Sequence, residues 1–123
     1  MVLAMRGIRG ATTVEENTKE AIQQSVQELV AAMLEENSIG PEDIGAAIFS
    51  GTDDITAGFP ATAMRMMPGM ETVPLFDTKE MDVEGSLSYC IRLLLLTDMD
   101  KSQKDVVHVY LRGARTLRPD LCR

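Results

Sequence analysis

Segment 106–121, VVHVYLRGARTLRPDL, gathers a phenol and several guanidiniums in one short stretch: Tyr110, Arg112, Arg115 and Arg118. Val107, Val109 and Leu111 alternate with Val106, His108 and Tyr110. That two-residue period is the mark of a half-buried strand, and it turns Tyr110 away from the Val/Leu side. The arginines follow, and Pro119 stops regular structure beyond them. An arginine fork grips a carboxylate through two parallel hydrogen bonds, and a tyrosine hydroxyl adds a third, so the cluster suits a small anionic ligand. The same residues also make a solvated basic edge that discourages strand-to-strand aggregation. On this segment alone the basic edge is the simpler reading.

A second cation stands in a stranger place. Segment 89–97, YCIRLLLLT, is so apolar that periodicity does not separate helix from buried strand. With a turn over 86–88 it reads as a strand in which Arg92 shares a face with Cys90 and Leu94. Arginine is almost never fully buried unless paired. Arg92 therefore either snorkels to the surface or sits at a cleft against a fixed partner or ligand. Other groups carry less. Asp53 and Asp54 lack a third suitably spaced acid or amide, so loop solvation outweighs cation binding. The glycines of RGIRG do not match a phosphate loop and suit tight turning or close packing. Cys90 and Cys122 form neither a disulfide framework nor a zinc site.

The remaining elements must position these residues. Residues 2–9 read as a first strand, with Gly10 and Thr12–Thr13 ending it and Arg9 at its C-terminal end. Residues 17–36 are the clearest helix: Asn17 is a good N-cap with Glu20 three residues on, and Ile22, Val26, Leu29, Val30, Met33 and Leu34 form one apolar stripe. Residues 44–50 read as a buried strand and 51–58 as a loop. Residues 59–67 read as a short helical turn with Pro60 early, where its missing N–H costs nothing. Residues 72–76 read as a third strand, 77–85 as an acidic loop, and 98–105 as a polar connection with one helical turn. The sum is an α+β plan of about five strands, with one long and one short helix on one face. A sheet so covered leaves its other face or edges for other subunits to bury.

The 123 residues suit a single domain, 1–123. A net charge of −7 and 4% aromatic content argue against nucleic acid as a partner. No apolar run approaches the ~20 residues needed to span a membrane, and the first residues lack the apolar core of a signal peptide, so the expected location is cytoplasmic.

Taken together, Arg9 in RGIRGATT, FPATAMR over 59–65, Glu80 in KEMDV, Arg92 in CIR, HVYL and LRPDL resemble the monofunctional chorismate mutases of the Bacillus type. The resemblance runs in one order over nearly the whole chain. It implies a mixed five-stranded sheet with helices on one face, three copies forming a homotrimeric pseudo-α/β barrel, and active sites at subunit interfaces. It implies the isomerisation of chorismate to prephenate, a [3,3] rearrangement in aromatic amino acid biosynthesis that uses no metal or cofactor. Arg92 then resembles the arginine facing the ether oxygen, and Glu80 the acid on the ring hydroxyl. Arg9 and Tyr110 match the pair on the side-chain carboxylate. Arg65 matches a mobile arginine near the ring carboxylate, and Arg118 a tail arginine closing over the site. Phe59, Ala61, Leu75 and Leu117 match apolar lining. Three positions depart from the pattern: Thr62 replaces lysine, Phe76 threonine, and Asp77 a cysteine near the substrate hydroxyl. Asp77 is expected to accept that hydroxyl's hydrogen bond while adding charge beside a dianion. His108 is expected to play a structural hydrogen-bonding role, and Arg112 and Arg115 to be surface or interface residues. Two alternatives stay open: a trimeric imine/enamine deaminase-like enzyme, and a non-catalytic binding module for an anionic metabolite.

Overall fold

A computed structural model describes residues 3–118. Val2, Pro119 and the rest of the LRPDL tail, with Cys122 and Arg123, lie outside the described residues. The strands are β1 (Ala4–Thr13), β2 (Ile44–Gly51), β3 (Leu75–Lys79), β4 (Cys90–Met99) and β5 (Val109–Tyr110). They join one mixed sheet in the order β3-β2-β4-β1-β5. β4 runs antiparallel to both β1 and β2, while β3 and β5 add parallel strands at the two edges. Helix α1 (Lys19–Asn37) lies over β1 and β5, and helix α2 (Pro60–Arg65) over β2 and β3, on the same side of the sheet. The α+β plan, the five strands and the long and short helices agree with the sequence reading.

The stripe of α1 is buried as its spacing requires: Ile22, Val26, Leu29, Val30 and Met33 meet Ile8, Phe49, Ile91, Leu93 and Leu95 of the sheet. Gly10 permits that approach, since a Cβ there would collide with the Met33 side chain. Close packing is thus the use of this glycine. Asn37, buried at the C-terminal end of α1, donates to Met33 O (2.9 Å) and Val107 O (2.8 Å) and accepts from Val107 N (2.8 Å). It ties the helix to the segment leading into β5.

Several boundaries differ from the sequence reading. β1 does not stop at Arg9 but runs on to Thr13, because β4 pairs with it along its whole length and β-branched threonine suits a pleated surface. The N-cap of α1 is Thr18, whose hydroxyl accepts from Ala21 N. Asn17 is used elsewhere: its side chain accepts from Thr56 N and Ala57 N and donates to the Thr56 hydroxyl. β3 begins at Leu75, not Thr72, so Asp77 belongs to a strand and not to the acidic loop. β5 is only two residues long, since Leu111 leads into a 3-10 turn at Arg112–Thr116. Among the described residues no helix is long and apolar enough to cross a membrane.

Replacing Asn37 by Ala removes three hydrogen bonds and strands both polar groups of Val107. We expect a loss of about 2–4 kcal/mol of stability, read from urea unfolding.

Candidate active site

Register places the chemistry. Residues of β4 alternate between the two faces of the sheet: Ile91, Leu93 and Leu95 point into the helical core, so Cys90, Arg92 and Leu94 point to the other face. The cross-strand partners of Arg92 are Ser50 on β2 and Ala11 on β1, and Ala11 pairs in turn with Tyr110 on β5. Cross-strand partners share a face. Arg92 therefore stands in the middle of a row that runs from Thr78 through Ser50 and Ala11 to Tyr110.

The cation has a partner. Glu80 follows β3 and anchors its own N–H on Gly51 O at 3.0 Å. Its Oε1 lies 3.4 Å from Arg92 Nε and accepts from the Ser50 hydroxyl at 2.6 Å. The Arg92 side chain remains 45% exposed, so the pair leaves part of the guanidinium open to a ligand. Behind it, burial pushes the Cys90 thiol pKa up, and the nearby Arg92 charge opposes that shift. Ser50 was not singled out in the sequence. Its only signal is a hydroxyl at the end of IGAAIFS, on the alternation that faces away from the core.

The other named residues fall into two groups at opposite edges. At the β5 edge, Tyr110 packs with Ala11 and Ala114, with Leu117 against them. His108 Nδ1 accepts from Arg9 N at 2.9 Å, the structural role expected of it. Burial first, then the Arg9 and Arg118 charges, lower the His108 pKa. Arg112 pairs with Glu28 (3.2 Å) and Glu15 (3.3 Å), fastening the start of the 3-10 turn to α1. Arg115 is exposed in the same turn.

At the β3 edge, α2 carries Ala61 and exposed Arg65, with Phe59 (70% exposed) just before it and Leu75 packed against the core. Phe76 is 65% exposed on the face of Arg92. Asp77 takes the opposite face: it pairs with core residue Phe49 and accepts from Ala61 N at 3.0 Å. Its carboxylate thus caps α2, whose N-cap residue Phe59 supplies no side-chain bond. Burial raises the Asp77 pKa, and the Ala61 N–H acts against that. A cavity of about 850 Å³ lies beneath, walled by Ile22, Thr52, Phe59, Thr62, Met66 and Asp77 among others. A smaller one of about 280 Å³ separates Glu80 and the loop after it from Thr52–Asp54. Arg92, Arg9 and Tyr110 line neither. Among the described residues no group of His, Cys, Asp and Glu is placed to hold a metal ion.

A paired, partly exposed arginine thus stands on the sheet face opposite α1 and α2, with a phenol toward the β5 edge. Residues 5–121 match the family model described as chorismate mutase type I. The chain belongs to that family. Its relatives agree over nearly their full length. A protein named chorismate mutase AroH from Thermus thermophilus is 52% identical over 118 residues, 95% of this chain and 96% of the relative. One of the same name from Bacillus subtilis is 44% identical over 119 residues, 97% of this chain and 94% of the relative. Among solved structures, a chorismate mutase from Clostridium thermocellum superposes with a TM-score of 0.86 at 44% identity, covering 89% of this chain and 97% of that one. Family membership replaces the deaminase-like and binding-module alternatives.

His108 gives the stability of the fold a pH dependence. Its pKa is lowered in the folded state, so the unfolded chain binds the proton more readily. The stability contributed by keeping it neutral is present above the unfolded value of about 6.5 and is lost as pH falls below that. His108→Asn keeps an acceptor for Arg9 N and should flatten the slope of unfolding free energy against pH in that window.

Proposed function

We propose that this member of the chorismate mutase family rearranges chorismate to prephenate at a pocket that neighbouring protomers complete. The observation that carries the reading is the Glu80–Arg92 pair, set on the sheet face opposite α1 and α2. The reaction breaks an ether C–O bond and forms a C–C bond without a proton transfer. Two things lower its barrier. One is holding the flexible dianion in a compact conformer, worth up to roughly 7–11 kcal/mol in well-oriented cases. The other is a fixed positive charge where negative charge develops on the ether oxygen, which stabilises the transition state more than the ground state.

Arg92 is the cation for the ether oxygen. Ser50 and Arg92 occupy Glu80 Oε1, so Oε2 is the oxygen assigned to the ring hydroxyl. Arg9 and Tyr110 hold the side-chain carboxylate, Arg65 and Arg118 approach the rest of the dianion, and Phe59, Ala61, Leu75, Phe76 and Leu117 exclude water. Asp77 is assigned to the pocket wall through its hold on α2, its carboxylate being engaged by Ala61 N–H. β3 and β5 are opposite edges of a five-stranded sheet, so these groups are separated by about 19 Å within one chain at ordinary strand spacing. One small molecule bridges them only if the β5 edge of one protomer meets the β3 edge of another. The face of Arg92 also carries Ile48, Leu94, Leu96, exposed Phe76 and exposed Met5, apolar surface that assembly would cover. A homotrimer in the cytoplasm fits the reading.

Purified protein should consume chorismate, followed by loss of its ultraviolet absorbance; absence of turnover would refute the reading. Arg92→Ala should lower kcat by on the order of a hundredfold or more, as for loss of one oxyanion donor. The rate should be nearly flat across neutral pH, since no general acid or base takes part. Sedimentation should show a trimer, and dilution to monomers should abolish turnover.

A further inference from the structure

The loop that leaves β2 clamps the start of β4. Thr52 N donates to Cys90 O (3.1 Å), and the Thr52 hydroxyl accepts from Cys90 N (3.0 Å) while donating to Asp54 Oδ1. Both Asp54 oxygens accept from Tyr89 N, at 3.1 and 3.0 Å. From the other side, Val14 N donates to Tyr89 O at 2.8 Å. Tyr89 itself stands at φ 49, the left-handed region that a residue with a Cβ seldom occupies. A strained backbone of this kind persists only where its surroundings over-determine it, and here five hydrogen bonds do so. Arg92 lies on the same face as Cys90, one alternation beyond the clamp.

We propose that Asp54 is a positioning residue for Arg92: by capping Tyr89 N–H it holds the left-handed turn that sets where β4 begins and hence where the guanidinium lies against Glu80. Glu80 has its own anchors on Gly51 and Ser50. Loosening the clamp therefore moves one member of the pair and not the other. This rests on the role given to Arg92 above.

The test compares Asp54→Ala and Asp54→Asn, each alone and with Tyr89→Gly, which adopts positive φ freely. Steady-state kinetics with chorismate are read together with the Arg92 Nε–H resonance of isotope-labelled protein, assigned by its loss in Arg92→Lys. Asp54→Ala should lower kcat by on the order of ten- to a hundredfold, with KM within about twofold, because the misplacement weakens a contact made in the transition state. Asp54→Asn, which keeps an acceptor, should recover most of the rate. In the Tyr89→Gly background the loss from Asp54→Ala should shrink to about threefold or less, since glycine no longer needs the clamp. The Arg92 resonance should shift in Asp54→Ala and return with Tyr89→Gly. Full kcat in Asp54→Ala, an equal loss in both backgrounds, or an unmoved Arg92 resonance would overturn the proposal. Should Asp54→Ala not fold, Asp54→Ser, whose shorter side chain does not span to Tyr89 N, replaces it and carries the same outcomes. A wild-type protein that does not turn over chorismate would sink the catalytic reading, while the resonance would still decide the clamp.

Discussion

An arginine in the middle of a strand built of Ile and Leu must be given a partner, and much of the sheet serves that requirement. The Arg92 side chain is only partly desolvated, with 45% of it exposed, and pairing offsets the cost of the part that is buried. Here the partner is Glu80, and it is not left to find Arg92 by chance. Its backbone is tied to the end of β2 and its carboxylate to Ser50, the residue across the ladder from Arg92. The pair is therefore organised without a ligand present. Partial exposure of the guanidinium keeps it available.

The second constraint is the asymmetry of the sheet. α1 and α2 cover one face, and the apolar stripe of α1 packs against Ile8, Phe49, Ile91, Leu93 and Leu95 in the core between them. The strands' alternation then sends Arg92, Ser50, Ile48, Leu94 and Phe76 to the other face. Among the described residues the segment around Ala114 and Leu117 packs there, over Ala11 and Tyr110. Chemistry and unburied apolar surface thus share a side. That is the physical argument for the proposed site finished by a second copy of the chain.

Long, periodic segments were legible without coordinates. The helix through Val26 and Met33 repeats one signal over many residues, whereas 89–97 is too uniformly apolar for period alone to tell strand from helix, and the turn begun by Pro60 rests on that one residue. Short elements and their ends were not. Asn17 reads as a cap, yet its amide serves Thr56 and Ala57, because a side chain bonds to whatever tertiary neighbour is nearest and the next residue, Thr18, caps as well. β3 starts three residues after the expected place, since pairing with Ala47 and Ile48 selects Leu75 and Phe76, not local propensity. The same shift sets Asp77 on the helix side.

By itself the order of residues determined the class of fold, the odd cation at Arg92 and, through motifs spread along the chain, the family. These follow from local period and from residue identity, which need no neighbours. Only the folded chain decided that Glu80 and Ser50 converge on Arg92, that Asp77 caps α2, and that Asp54 holds Tyr89 in a left-handed turn. Each of those depends on which strand lies beside which and in what register, and a one-residue slip would send every such side chain to the opposite face.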